Sequence, residues 1–248
     1  MSEFFRQFFD FGFMAEHFDE VLDGFWWTIQ LSVVSGALAL AWGLILATLR
    51  QLPGRVFLPV RALTVAYIDV FRGIPLLLLI LLIYGGFTSL DFLPESLRLP
   101  QWLGKPDNFW FGVAGLTITY GAYMAEVYRA GIEAVPPGQM EAARSLGMNH
   151  GQAMRSVILP QAVRKVIAPL LNDFIALTKD TTLVSVIALN EVVLVGSDIQ
   201  AETFNSSALT LGAIMFLVVT LPLARLVDKL ISREQSRFTR GAPRVEAL

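Results

Sequence analysis

The chain contains no cysteine and only two histidines, His17 and His150. A disulfide framework and a thiolate metal site are thereby excluded, and two histidines leave no set from which a histidine-built metal or catalytic centre is assembled. Charge is scarce as well. Charged residues make up 16% of the chain, against about 25% for a soluble domain. With 54% of 248 residues hydrophobic, that deficit points to a polytopic membrane protein. No G-x-x-x-x-G-K-[ST] run occurs, so the chain has no phosphate-cradling loop of its own. No Ser/His/Asp set stands out either, which argues against an intramembrane enzyme. A net charge of −2 offers nothing to nucleic acid. The start, MSEFFRQFFDFGF, lacks the basic opening and clean apolar run of a cleavable signal, so none is expected. No internal repeat and no separate soluble domain are visible.

Long apolar runs are what the sequence has. A hydrocarbon core of about 30 Å takes roughly 20 helical residues, and five segments qualify: 25–49, 58–84, 109–129, 162–187 and 206–230. FRGIP (71–75) interrupts the second. Its first half alone is short and carries Arg61 and Asp69, so one long helix kinked at Pro75 is expected. Residues 1–24 hold Glu3, Asp10, Glu16, Asp19, Glu20 and Asp23 against Arg6 alone. Basic residues cluster after the first span (Arg50, Arg55, Arg61), after the third (Arg129, Arg144, Arg155, Arg164, Lys165) and in the tail (Arg225, Lys229, Arg233, Arg237, Arg240, Arg244). All three clusters share one side only with the N-terminus outside and the C-terminus inside. The expectation is therefore an all-α polytopic membrane protein of five transmembrane helices. It divides into an N-terminal periplasmic or interfacial segment (1–24), a membrane domain (25–230) with a cytoplasmic loop at 136–161, and a cytoplasmic tail (231–248). Phe4, Phe8 and Phe11 at helical spacing suit an amphipathic helix in the outer interface; a frayed terminus is the alternative. Pro94, Pro100, Gly104 and Pro106 argue against a continuous helix across 91–108.

The stretch EAARSLGMNHGQAMRSVILPQ (141–161) is polar and basic between two apolar spans. Helix formers run from Gln139 to Leu146 after Pro136 and Pro137, with Met140, Ala143 and Leu146 on one side and Glu141 near the positive helix end. Gly147 suits a left-handed stop. Asn149 suits the cap of a second short helix, ended by Pro160. Helices this short are marginal alone in water. They form either a plug for a partner protein or a tight hairpin on lipid headgroups.

EAA, three residues, glycine, nine residues and V-I-L-P resembles the cytoplasmic loop of bacterial ABC importer permeases. Glu141, Ala142, Ala143, Gly147, Leu159 and Pro160 match, with Val157 at a position where that family often has isoleucine. YIDVFRGIPLLLLILLIY (67–84), TYGAYMAEVYRAGIEAVPPGQMEAARSLG (119–147), LPQAVRKVIAPLLNDFIALTKDTTLVSVI (159–187) and LPLARLVDKL (221–230) resemble the polar amino acid branch, histidine/glutamine/arginine permease-like. The resemblance covers roughly 20–232. It implies the ABC importer type I permease fold, working as a pair with a second permease subunit, identical or related. It further implies a dimer of ATPase subunits docking on Glu141, Ala142, Ala143, Leu146 and Gly147. ATP and Mg then sit at that partner, and this chain holds no cofactor. An extracytoplasmic amino-acid-binding protein and the lipid of a bacterial inner membrane complete the implied partners. Asp173 departs from the family's common glutamate but keeps its charge.

Ionisable groups within spans usually face a cavity or a partner. Asp69 and Arg72, three apart, are expected to pair on one helix face. Glu126 makes either a surface pair with Arg129 or a gating contact. NDFIALTKDTT (172–182) sets Asp173 and Asp180 two turns apart on one face, with Asn172 and Lys179 on the neighbouring strip. That stripe lines a path, or Lys179 and Asp180 hold a dimer seam. Tyr120, Tyr123 and Thr119 orient a substrate or merely pack. The candidate path residues are thus Asn172, Asp173, Lys179, Asp180, Tyr120 and Glu126. The favoured function is the permease subunit of an ATP-driven importer for polar amino acids. An importer of another small solute, or an ion-gradient-driven carrier disfavoured by the missing repeat, are the alternatives.

Overall fold

The computed structural model describes residues 2–241 of the chain, with side chains for 3–232. Of the expected basic tail, Arg244 and the side chains of Arg233, Arg237 and Arg240 lie outside the described residues. Among the described residues every regular element is helical.

Two short helices open the chain, α1 (Ser2–Phe8) and α2 (Phe11–Glu16). Asp10 caps α2, its carboxylate accepting from the Phe13 N–H at 3.1 Å. The 33-residue α3 (Phe18–Arg50) follows, about 50 Å long at 1.5 Å per residue. Next come α4 (Leu58–Gly73), α5 (Leu76–Thr88), the single turn α6 (Glu95–Arg98) and the 27-residue α7 (Asp107–Glu133). No continuous helix crosses 91–108, as its prolines foretold: α6 and a 3-10 turn are all that precede the start of α7 at Asp107. The cytoplasmic-loop sequence forms α8 (Pro137–Ser145) and α9 (His150–Ala153). A π-turn (Met154–Ile158) leads from α9 into α10 (Leu159–Asp180). A 3-10 stretch (Thr181–Ile187), α11 (Val192–Thr203) and α12 (Ser207–Gly241) complete the fold.

The bundle is organised around α3 against α7. Gly43 and Gly121 let the two backbones approach: a Cβ on Gly43 would stand 2.9 Å from the Gly121 carbonyl oxygen. Small residues serve this purpose where lipid supplies no hydrophobic drive between helices. Leu31, Ile80, Leu116, Met124, Leu177 and Val184 fill the main core, drawn from α3, α5, α7, α10 and the 3-10 stretch.

The structure corrects two expectations about the course of the chain. The FRGIP break is no kink: α4 and α5 diverge by 107°. The residue before a proline is pushed out of the helical region, and Ile74 (φ −82°, ψ 130°) and Pro75 (ψ 129°) are both extended. Two extended residues in a row turn the chain, where a lone missing N–H would only bend it. Second, Pro160 does not end a helix. The π-turn widens the spiral just ahead of it, with the Leu159 N–H reaching back five residues to the Met154 carbonyl. Pro160 follows directly, and the helix runs on past it through α10. The segment after 187, for which the sequence carried no expectation, forms α11, set at 52° to the helix before it.

All five expected spans fall on helices. By length and composition, Phe18–Arg50 and Ser207–Ser232 are long and apolar enough to cross a membrane, and the bent pairs α4/α5 and α9–α10/α11 raise the number to four. The expected third span, on α7, is not among them.

The N-terminal segment is not frayed. The Ser206 N–H donates to the Gln7 carbonyl at 2.8 Å, and the Asp10 N–H to Ser207 Oγ at 3.0 Å. These bonds tie α1 and α2 to the head of α12, with Phe4, Phe5 and Phe11 exposed.

Candidate translocation path and cytoplasmic elbow

Local backbone chemistry builds the elbow. Pro137 opens α8, where its fixed φ fits and its missing N–H costs nothing. Gly147 closes it at φ +83°. The Gly147 N–H donates to the Arg144 carbonyl at 3.0 Å and the Met148 N–H to the Ala143 carbonyl at 3.2 Å, the paired bonds of a Schellman stop. Asn149 and Gln152 then exchange side-chain-to-backbone bonds, both 2.9 Å, in a reciprocal capping box. Ala143 is 3% exposed, and Met140 packs on Val135, Ile158 and Ala162. Gln161 donates to Gln139 and braces α8 against α10.

Of the expected apolar side of α8, Met140 and Ala143 face inward, but Leu146 is 84% exposed. It lies beyond the last helical residue, at the C-cap, and no longer follows the helix face. Glu141, Ala142, Leu146 and Gly147 are therefore all exposed, while Ala143 is buried in the elbow itself.

The second site lies in the bundle, where α4, α7 and α10 meet. Tyr120 on α7 donates its hydroxyl to Asp180 Oδ2 at 2.8 Å. Its ring neighbours Tyr123 at 5.9 Å between centroids. The Arg72 guanidinium, on the last turn of α4, stands 5.4 Å from the centre of the Tyr123 ring, a cation–π contact. The Tyr123 hydroxyl donates to the Arg72 carbonyl at 3.4 Å. Asp173 lies within electrostatic reach of both Arg72 and Tyr120, and its Oδ2 is buried without a hydrogen-bond partner. The structure thus brings Tyr120, Asp173 and Asp180 together. Asn172 and Lys179 share the neighbouring strip, as expected, and are exposed, and the Lys179 ammonium has no ion-pair partner among the described residues.

Glu126 stands elsewhere. It binds Arg50 at the end of α3 and Arg129 (2.8 Å), which also reaches Glu133. The Glu126–Arg129 pair, one of the two alternatives, is present, with Arg50 added. The Asp69–Arg72 pair does not form, because Arg72 turns to Tyr123 on a different helix. Thr119 is buried on α7. Glu191, not singled out in the sequence, is fully buried and caps α11, accepting from the Val193 N–H at 3.0 Å and the Leu194 N–H at 2.9 Å. Glutamate is not among the preferred N-cap types, so its position before V-V-L-V was the only signal.

Membrane-length helices, a polar cluster at a broken helix inside the bundle and a tightly capped elbow at one end define a multi-pass membrane permease. The chain belongs to the family of binding-protein-dependent transport system inner membrane components, matched over residues 39–235. It is 38% identical over 233 residues to a probable glutamine ABC transporter permease protein, GlnM, of Bacillus subtilis, covering 91% of this chain and 98% of that one. It is 37% identical over 219 residues to a glutamate transport system permease protein, GluC, of Corynebacterium glutamicum, covering 86% and 93%. The fold matches the crystal structure of an amino acid ABC transporter with histidines at TM-score 0.79 and 34% identity, over 90% of this chain and 98% of that one. It is a bacterial inner membrane permease component, not the ATPase subunit, and works with an ATPase and a binding protein.

Proposed function

We propose that the chain is the permease subunit of an ATP-binding-cassette importer for polar amino acids. The names of its relatives, a glutamine and a glutamate permease, support that substrate class. In this reading α3, the α4/α5 pair, α7, α10 and α12 form five crossings with the N-terminus outside, which puts every basic cluster at the cytoplasmic end. Tyr120, Asp173 and Asp180 line the path. The exposed Asn172 and Lys179 face a second permease subunit, identical or related, across the same path. The ATPase pair, holding ATP and Mg, docks on the outward surface of Glu141, Ala142, Leu146 and Gly147. Ala143 serves that surface from behind by fixing the elbow.

One observation carries the mechanism. From the Asn149 cap through the π-turn to Asp180 the backbone is helical without a break. Movement of docked ATPase subunits is thereby delivered to Asp173 and Asp180. The test is reconstitution of the complex with its ATPase and binding protein in vesicles. A Cβ at 147 meets nothing within 4 Å, so Gly147→Trp projects its ring into the docking surface. Coupled uptake of labelled glutamine, glutamate or arginine should fall about tenfold or more, the equivalent of roughly 1.4 kcal/mol. Normal coupled uptake in that variant refutes the docking surface. A wild-type complex that imports none of the three refutes the substrate class.

A further inference from the structure

Lys105 stands just before the head of α7, half-buried among aromatic rings. Its ammonium lies 4.4 Å from the centre of the Trp27 ring and 5.7 Å from that of Phe109. It donates to the Gln30 amide oxygen, and Gln30 is itself anchored to the Trp26 carbonyl at 3.3 Å. No carboxylate pairs with it among the described residues. A lysine ammonium has three donors, of which Gln30 takes one. The charge is thus fixed in place and unanswered. Lys105 lines an apolar groove of about 270 Å³, walled by Trp26, Ile29 and Val33 of α3 and by Phe109 and Trp110 of α7. A second groove, of about 380 Å³, lies between α3, α5 and α7 and is lined by Leu38, Ile83, Phe111 and Ile118. Trp110 belongs to both linings and is the partition they share. Its indole N–H donates to the Trp102 carbonyl at 3.0 Å, and the two rings stand 5.7 Å apart, which holds the partition in place. Four of the five tryptophans, Trp26, Trp27, Trp102 and Trp110, gather here. Tryptophan concentrates at the level of lipid headgroups. Neither groove takes a residue from α8 to α12, the elements that carry the proposed ATPase and second-permease surfaces.

We propose that the paired grooves bind one diacyl phospholipid, its phosphate on Lys105 and its two acyl chains on either side of Trp110. The occupant follows from the composition of the site. A free phosphate would answer the ammonium and leave both grooves empty. A protein surface would have to supply a carboxylate and two separate apolar ridges. A phospholipid carries one phosphate and two hydrocarbon chains on a single glycerol, which is what the site lacks. Lysine receives phosphate as a point charge, and basic pockets between membrane helices bind lipid headgroups. The bound lipid ties α3, α5 and α7 together at one end of the bundle, apart from the substrate path. The site requires only that the chain is a membrane protein; the topology proposed above adds that it opens to the outer leaflet.

The experiment is native mass spectrometry of the detergent-solubilised permease with its ATPase. It is titrated with dioleoyl phosphatidylglycerol and, separately, with dioleoylglycerol, which has the same chains without the phosphate. Wild type should take up one phosphatidylglycerol per permease, saturably. It should prefer that lipid to the diacylglycerol by about tenfold or more, the scale of one charge-assisted contact. Lys105→Gln should cut the preference to about twofold or less, and Lys105→Arg should restore it. Ala114→Trp places a ring in the second groove, which Ala114 lines. It should weaken both lipids alike, by about tenfold, and leave their ratio in place. Gel filtration checks the assembly of each variant, and a ratio between two lipids is insensitive to the amount of folded protein. Lipid numbers that climb without saturating, or an unchanged ratio in Lys105→Gln, overturn the site. Inorganic phosphate bound at Lys105 in place of the lipid overturns it as well. So does a wild type that takes up no lipid while Ala114→Trp loses permease pairing, which hands the grooves to a second permease copy. Binding is read on the purified complex whether or not it imports amino acids, so failure of this site and failure of the permease reading are separate results.

Discussion

Replacing Gly147 by a graded set of residues isolates the energetics of the elbow. Its φ of +83° lies in the left-handed region, which costs an L-residue about 1 kcal/mol or somewhat more. Because a Cβ there touches nothing within 4 Å, alanine introduces backbone strain with no clash. Asparagine tolerates this conformation and is the natural second choice at such a stop; valine is the worst, being β-branched. The reporter is close at hand, since the N–H groups of Gly147 and Met148 close the two terminal bonds to Arg144 and Ala143. A destabilisation of about 1 kcal/mol raises the opened population roughly fivefold. Hydrogen exchange on a peptide spanning 143–150 of the solubilised chain should therefore show about fivefold faster exchange for Gly147→Ala. The asparagine variant should differ from wild type by less than about twofold, and the valine variant should exceed alanine. Identical exchange for glycine and alanine, or asparagine as fast as valine, would falsify the left-handed stop as the element holding the elbow.

Two further perturbations test the bundle. A Cβ at Gly121 would lie 2.5 Å from the Trp42 ring, and that ring is pinned by its 2.8 Å hydrogen bond to the Tyr67 hydroxyl. Gly121→Val should cost about 1–3 kcal/mol and lower the melting midpoint of the solubilised chain; an unaltered midpoint contradicts the close α3–α7 contact. Glu126→Gln removes the anion shared by Arg50 and Arg129. With the Glu126 side chain 17% exposed, the cost should fall between exposed and buried pairs, at roughly 1–2 kcal/mol. A double-mutant cycle with Arg50→Met measures the coupling, and additive losses would show that the two do not act together.

The elbow was legible in the sequence because its determinants are local. Pro137, Gly147 and Asn149 act through their own φ angle, missing N–H or short side chain, and each does what its residue type dictates. Errors arose where a second partner or a neighbouring turn decides. Pro75 was read as one kinking residue, although its effect on Ile74 doubles the extended stretch. Pro160 was read as a stop, although a π-turn upstream absorbs it. Arg72 was assigned to Asp69 because spacing along one helix is visible and Tyr123, on another helix, is not. Of the two readings left open for Glu126, the pair with Arg129 is present, while Arg50, distant in the chain, escaped notice. The stripe from Asn172 to Asp180 was legible as two neighbouring strips from two-turn periodicity, but which strip is exposed, that of Asn172 and Lys179, depends on packing against other helices. Leu146 was misplaced because a helical face was extended one residue past the end of the helix.

The unbroken helical path from His150 to Asp180 measures about 46 Å at 1.5 Å per residue. A rod of that length, rocked by about 10° around its midpoint, carries its two tips roughly 4 Å in opposite directions. Swing at the cytosolic tip is thereby turned into counter-swing beside the aspartates, with the π-turn and Pro169 inside α10 as the points at which the rod can bend. Any residue inserted into or removed from this rod also rotates the aspartates about 100° around its axis, so its length is as much a part of the machine as its chemistry.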